Sequence, residues 1–306
     1  MVMKYIRTIM VVLCALTTVS GFAGNDNSAP KPTFSDVAYG PKERQVLDFW
    51  KADSAKPTPL LVLIHGGGWI HGDKKLEAKN QRKRIELMLA KGVSVAAINY
   101  RYTPGNKLPD PVYDAARAIQ FLRYKAKDWN IDKRRIAATG GSAGGCTSLW
   151  LATHDDLADR NSPDPVLRES TRLCGALVYG AQTTIDPVQI KEWKNDGALK
   201  HAMIRYSCGF KSNEEMENKY DSVKKIYQDF SPVNHLDSSD PPMYLRYNET
   251  LKHPTGIHHP LFGYHFKQKA DAVNAPVILY IGRERPKGKK IISSKDFLLK
   301  ILDVKK

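Results

Sequence analysis

Several kinds of protein are excluded by what this 306-residue chain lacks. No G-x-x-x-x-G-K-[ST] run is present, so there is no phosphate-binding P-loop. No glycine cluster falls in a G-x-G-x-x-G register, which removes the dinucleotide fingerprint. No H-E-x-x-H and no cysteine pair with metal-site spacing occurs, so no metal and no cofactor is expected. Nucleic-acid-binding motifs are absent as well. Cysteine is scarce, at four residues. Three of them, Cys146, Cys174 and Cys208, lie beyond the amino-terminal segment. In an oxidising compartment they allow one disulfide and an odd thiol. A Cys174–Cys208 bond is one arrangement, and the spacing does not decide it.

Long apolar runs are also missing, with one short exception. The amino terminus places Lys4 and Arg7 before an apolar stretch that ends at Gly21-Phe22-Ala23. This is the n-region, h-region and small-residue cleavage site of a signal peptide over residues 1–23, in a run too short for a clear membrane span. A retained anchor is the alternative. Cleavage would leave no stable membrane anchor and would place the protein in the periplasm or outside the cell. Net charge is +15, or +13 without residues 1–23. The basic residues are scattered except in the run "RERPKGKK", so the charge reads as a solvated surface and no nucleic-acid partner is expected.

Residues 24–35 are polar, with two prolines, and read as a linker. From residue 36 onward, short β-type runs alternate with helix-length segments. "PLLVLIH", "VSVAAINY", "RIAATG", "LCGALVYG", "PPMYLRYN" and "PVILYIG" read as strands. The first is almost continuously apolar, as suits a strand covered on both faces. "EAKNQRKRIELMLAKG", "DPVYDAARAIQFLRYKAKDW", "PLFGYHFKQKADAVN" and "SSKDFLLKILDVKK" read as helices. The alternation predicts an α/β fold over 36–306, with a mostly parallel sheet covered by helices on both faces. Residues 187–238 break the rhythm with polar, helical sequence, and read as a lid-like insertion over the carboxyl edge of the sheet.

Two motifs carry chemistry. Gly140-Gly141-Ser142-Ala143-Gly144 is a G-x-S-x-G sequence lying between a strand and a helix. That is the context of a nucleophile elbow, in which small neighbours let a strained serine stand exposed. The other reading is a glycine-rich turn with an incidental serine. Upstream, His65-Gly66-Gly67-Gly68-Trp69 follows a buried strand, and such a glycine run frees backbone amides to face a developing oxyanion.

"HGGGW", "NYRYTP" and "GGSAGG", in this order and spacing, resemble an α/β-hydrolase fold esterase of the hormone-sensitive-lipase and carboxylesterase type. The resemblance covers most of residues 34–180. It implies an oxyanion hole from the amides of Gly67, Gly68 and Ala143, with Ser142 as nucleophile. It also implies a structural role for His65, and packing and loop-anchoring roles for Asn99 to Tyr102. The pattern then weakens. Such a hydrolase carries its histidine after the last strand, yet "PVILYIG" leads into "RERPKGKK", and no histidine follows His265.

The base must therefore come from elsewhere. His154 ends the nucleophile helix and His265 lies within a helix, so both read as distant; His201 and His235 flank or occupy the insertion. His258 and His259 follow the strand "PPMYLRY", on the sheet edge where this fold keeps its chemistry. Either is a candidate relocated base, with Glu249 or Asp186 as the acid. The alternative is a helix-leading loop whose histidines are polar but inert.

Two readings follow. The first is an exported serine esterase acting on a small-molecule or glycan-linked ester, extending to acyl groups on polysaccharides. The second is an impaired homologue that binds an ester, a glycan or a protein partner.

Overall fold

A computed structural model describes residues 28–282 and 292–304. The leader expected over 1–23, Cys14 and the basic run 283–290 lie outside the described residues.

Eight strands form one sheet: β1 (Phe34–Ala38), β2 (Val46–Trp50), β3 (Thr58–Ile64), β4 (Ser94–Ile98), β5 (Ile131–Gly141), β6 (Gly175–Tyr179), β7 (Met243–Tyr247) and β8 (Val277–Ile281). Their order across the sheet is β1-β2-β4-β3-β5-β6-β7-β8. β1 and β2 are antiparallel to their neighbours, while β3 to β8 run parallel.

The continuous apolar character of β3 has its reason here, because all seven residues are buried and alternate between two cores. Leu60, Val62 and Ile64 face the helices Asp110–Tyr124, Ala143–Thr153 and Leu261–Ala272. Leu61 and Leu63 face Ile85 and Met88 on one helix, and Phe297 and Leu298 on the closing helix Ser294–Ile301.

Three boundaries differ from the sequence reading. β1 begins at Phe34, inside the stretch read as a linker. The helix read from Glu77 starts at Lys74, where Asp73 caps it by accepting from Lys75 N at 2.8 Å, and a break at Gln81 divides it into Lys74–Asn80 and Arg82–Ala90. β5 starts at Ile131, four residues before the apolar run that betrayed it.

Between β6 and β7 lie five helices, from Pro187–Glu192 to Tyr220–Asp229, and a 3-10 turn at Pro232–His235. His201 and Met203 from this segment pack against Gly68, at the carboxyl end of β3.

Cys146, Cys174 and Cys208 are all free thiols, so no Cys174–Cys208 disulfide exists. Cys174 enters β6 at its amino end, whereas Cys208 follows a helix packed over the carboxyl edge. Five residues of strand span about 16 Å, well beyond the ~7 Å reach of a disulfide. Among the described residues no helix is long and apolar enough to cross a membrane.

Candidate active site

Ser142 joins β5 to the helix Ala143–Thr153 with φ 53° and ψ −126°, a strained backbone for a residue with a side chain. The turn is fixed from both sides. Ser142 N donates to Tyr179 O at 2.9 Å, and Cys146 N donates to Ser142 O at 2.8 Å. Gly144 shows why the flanking glycines are needed, because a side chain there would strike the carbonyl oxygens of Ile64 and His65. The elbow is thus wedged against the end of β3, and that contact brings the Gly66-Gly67-Gly68 turn beside the serine.

Gly67 (φ 97°) and Gly68 (φ 64°) both adopt left-handed backbone. Among the described residues, the amides of Gly67, Gly68 and Ala143 donate no hydrogen bond. Ala143 is the first residue of its helix, where backbone N–H groups have no intrahelical acceptor.

His65 is buried, stacked on Tyr100 at 4.1 Å, with Nδ1 donating to Gly66 O at 2.8 Å. Burial pulls its pKa down to about 4, against 6.5 for an ordinary imidazole, so it is a neutral packing group. The Asn99–Tyr102 run anchors the neighbouring loops. Lys74 N donates to Asn99 Oδ1 at 2.7 Å, Tyr100 Oη donates to His65 O at 2.7 Å, and Arg101 pairs with Asp114 at 2.7 Å.

The loop after β7 supplies a partner for the serine, since His258 Nε2 lies 2.9 Å from Ser142 Oγ. His259, its neighbour, is not brought there. Its ring is buried, with Nε2 donating to His253 O at 3.1 Å and Nδ1 accepting from Leu261 N at 3.3 Å. Both ring nitrogens are engaged, one by the loop at His253 and one by the first amide of the helix Leu261–Ala272. Desolvation lowers the pKa of His258, and the negative charge of Glu249 opposes that shift.

Of the two carboxylates considered from the sequence, Glu249 lines the cleft with Ser142 and His258. It acts on the imidazole through its charge; among the described residues no carboxylate hydrogen-bonds His258 Nδ1. Asp186 is elsewhere engaged. It caps the helix Pro187–Glu192 by accepting from Val188 N at 2.9 Å, and both its oxygens accept from Tyr220 Oη at 3.0 Å. A capping carboxylate already holding two donors is a structural group of the insertion.

The other histidines weighed from the sequence as distant or near the insertion are engaged elsewhere. His201 caps the helix Ala202–Ser207, and His265 stacks on Trp193 at 4.6 Å. His154 stacks on Trp150 at 4.1 Å, while His235 contacts Asp229.

Two residues overlooked in the sequence hold His258 in place. Asn195, fully buried, accepts from Gly256 N through Oδ1 at 3.0 Å and donates from Nδ2 to Gly256 O at 3.3 Å. Gln182, also fully buried, donates to Ile257 O at 2.5 Å. Gly180 lies beside the His258 ring with left-handed backbone at φ 51°, the conformation that favours glycine there. No sequence pattern marks these residues, because their partners lie 61 and 75 positions away. The cleft in front of Ser142 has a volume of about 480 Å³, with Glu77, Gln81, Tyr179, Arg246 and Asn248 on its walls.

A serine on a strained strand-to-helix turn, a histidine within hydrogen-bonding reach and a glycine turn with free amides are set on an eight-stranded, mostly parallel sheet. They define an α/β-hydrolase of the hormone-sensitive-lipase and carboxylesterase type. Within that class the chain belongs to the BD-FAE family, whose family model matches residues 47–250.

Relatives agree with this placement. The chain is 26% identical over 215 residues to esterase LipC of Mycobacterium tuberculosis, covering 68% of this chain and 49% of LipC. It is 40% identical over 86 residues to an arylesterase of Saccharolobus solfataricus, covering 28% of this chain and 27% of the arylesterase. The chain spans about half the length of LipC and of the similar M. tuberculosis esterase LipQ. Among solved structures, it resembles an acetyl ester-xyloside bifunctional hydrolase from Caldicellulosiruptor lactoaceticus (TM-score 0.60, 25% identity, 78% of each chain). It shares its fold with a truncated carbohydrate esterase from gut microbiota (TM-score 0.66, 18% identity, 84% of this chain and 89% of that one).

Proposed function

We propose that the protein is a serine esterase that hydrolyses carboxylic esters through an acyl-enzyme on Ser142. The observation that carries this reading is the 2.9 Å contact between His258 Nε2 and Ser142 Oγ. As His258 takes the hydroxyl proton, Oγ attacks the ester carbonyl carbon. The carbonyl electrons move onto oxygen, where the amides of Gly67, Gly68 and Ala143 receive the charge. Collapse of this intermediate breaks the bond to the alcohol, which leaves with the proton from His258. Water, deprotonated by the same imidazole, then releases the acid and restores Ser142. Glu249 stabilises the imidazolium by its charge across the cleft.

The named activities of LipC and the arylesterase support ester hydrolysis. The two carbohydrate-active structural neighbours favour acyl groups carried on polysaccharides as substrates. The basic and apolar amino-terminal segment supports export.

The test is labelling with a fluorophosphonate probe together with turnover of p-nitrophenyl acetate, each compared with Ser142→Ala. Labelling and turnover that vanish in the variant are expected. A wild-type protein that neither labels nor turns over would make the chain a binding homologue.

A further inference from the structure

Away from the cleft, at the far end of the nucleophile helix, three side chains converge that the proposed reaction does not use. His154 directly follows the helix Ala143–Thr153, Asp229 ends the helix Tyr220–Asp229, and His235 ends the 3-10 turn. All three are half-buried, with one ligand-type atom from each lying within 4.8 Å of the others.

The geometry is close to that of a coordination shell. His154 Nε2 is 3.5 Å from Asp229 Oδ1, and His235 Nε2 is 3.6 Å from the same oxygen. Ligands at the ~2.0–2.1 Å of zinc–nitrogen and zinc–oxygen bonds stand about 3.3–3.4 Å apart in a tetrahedron. Two of the three edges are therefore nearly at the required length.

Protonation points the same way. His154 Nδ1 lies 2.9 Å from Asp155 O, and a carbonyl oxygen only accepts, so the proton is on Nδ1. In the neutral ring, Nε2 then presents a lone pair toward the carboxylate oxygen of Asp229. A bound cation satisfies that contact, as a second ring proton also does. A main-chain carbonyl holding the opposite N–H of the ring is also the usual outer-shell support of a metal-bound histidine.

The shell is stiffened by Trp150, which stacks on His154 at 4.1 Å and donates its indole N–H to Asp229 O at 2.8 Å. His235 Nε2 now donates to that same carbonyl at 2.5 Å. Coordination through this nitrogen requires the ring to give up that contact and carry its proton on Nδ1, while the carbonyl keeps the indole donor.

We propose that His154, Asp229 and His235 form a zinc-type divalent metal site, completed by water, that clips the nucleophile helix to the helical segment between β6 and β7. Two imidazoles and one carboxylate favour a borderline transition ion over calcium or magnesium, which prefer all-oxygen shells. The site stands apart from the ester-cleaving cleft, so it holds the fold together at this point and supplies no reacting group.

The experiment is calorimetric titration of the purified, tag-free, chelator-treated chain with Zn²⁺, with Ca²⁺ as control. One equivalent of Zn²⁺ is expected to bind and to raise the unfolding temperature, with no response to Ca²⁺. Asp229→Asn and His154→Gln should each weaken binding by more than the ~10–100-fold that loss of an outer-shell partner causes. Circular dichroism checks folding, and His235→Gln replaces either variant that fails to fold. No Zn²⁺ binding by the wild-type chain overturns the site. So does binding that survives these substitutions, including binding lost instead in His258→Ala.

Discussion

Asn195 grips both main-chain groups of Gly256, accepting its N–H at 3.0 Å and donating to its carbonyl at 3.3 Å. The segment between β6 and β7 thereby holds the loop that carries His258, two residues further on. Gln182 adds a contact to Ile257, and Gly197 N donates to Thr255 Oγ1 at 3.2 Å.

Asn195→Ala should therefore lower kcat without removing the nucleophile. A displacement of about 1 Å in a catalytic group costs on the order of 10²-fold. The expected outcome is a fall of that order in kcat, little change in KM and slower fluorophosphonate labelling. The two hydrogen bonds lost should also destabilise the fold by about 1–3 kcal/mol, readable in denaturant unfolding. An unchanged kcat would remove Asn195 from the positioning of His258.

His258→Ala and His259→Ala should separate cleanly. The first removes the base and should cost at least about 10⁴-fold in kcat while leaving stability nearly untouched. The second removes a buried ring that holds a helix start, so its main effect should be a lower unfolding temperature. Equal losses of kcat in both variants would contradict the assignment.

The pH dependence follows from the sign of the His258 shift. The base works only when neutral, and desolvation lowers its pKa from the ordinary 6.5. The acid limb of kcat/KM should accordingly have its midpoint below 6.5, and a midpoint above it would refute this environment. Glu249 opposes that lowering, so Glu249→Gln should move the limb to still lower pH. It should also reduce kcat, by less than the ~10⁴-fold that follows loss of a hydrogen-bonded triad acid.

His65 adds a stability effect of its own. Its folded pKa of about 4 lies below the unfolded value of 6.5, so the unfolded chain binds the extra proton first. Stability from this group is complete above pH 6.5 and is lost as pH falls toward 4, by about 3 kcal/mol in total. In unfolding experiments across that interval, His65→Gln should show a shallower loss than wild type. Parallel pH profiles would show that His65 is not the group responsible.

The α/β architecture was legible because each parallel strand is buried on both faces and so must be almost wholly apolar, as β3 is. The elbow was legible for a local reason. The strained Ser142 and the close contact of Gly144 with Ile64 restrict residue types within a few positions of each other. "HGGGW" was legible on the same grounds.

The base resisted such reading. "GIHHP" offers two adjacent histidines, and nothing in their local sequence separates the one that meets Ser142 from the one buried against the loop and the helix that follows. Asp186, plausible by its position after β6, proved to be a helix cap because Val188 N and Tyr220 Oη already occupy it. The grip of Asn195 and Gln182 left no trace in the sequence.

What the sequence determined by itself is thus whatever backbone strain and two-sided burial impose on neighbouring residues: the sheet, the nucleophile turn and the glycine turn beside it. The tertiary structure alone decided which histidine faces the serine. A contact spanning 116 residues depends on how separate loops are pinned to one another, and that is set by long-range hydrogen bonds rather than by local pattern.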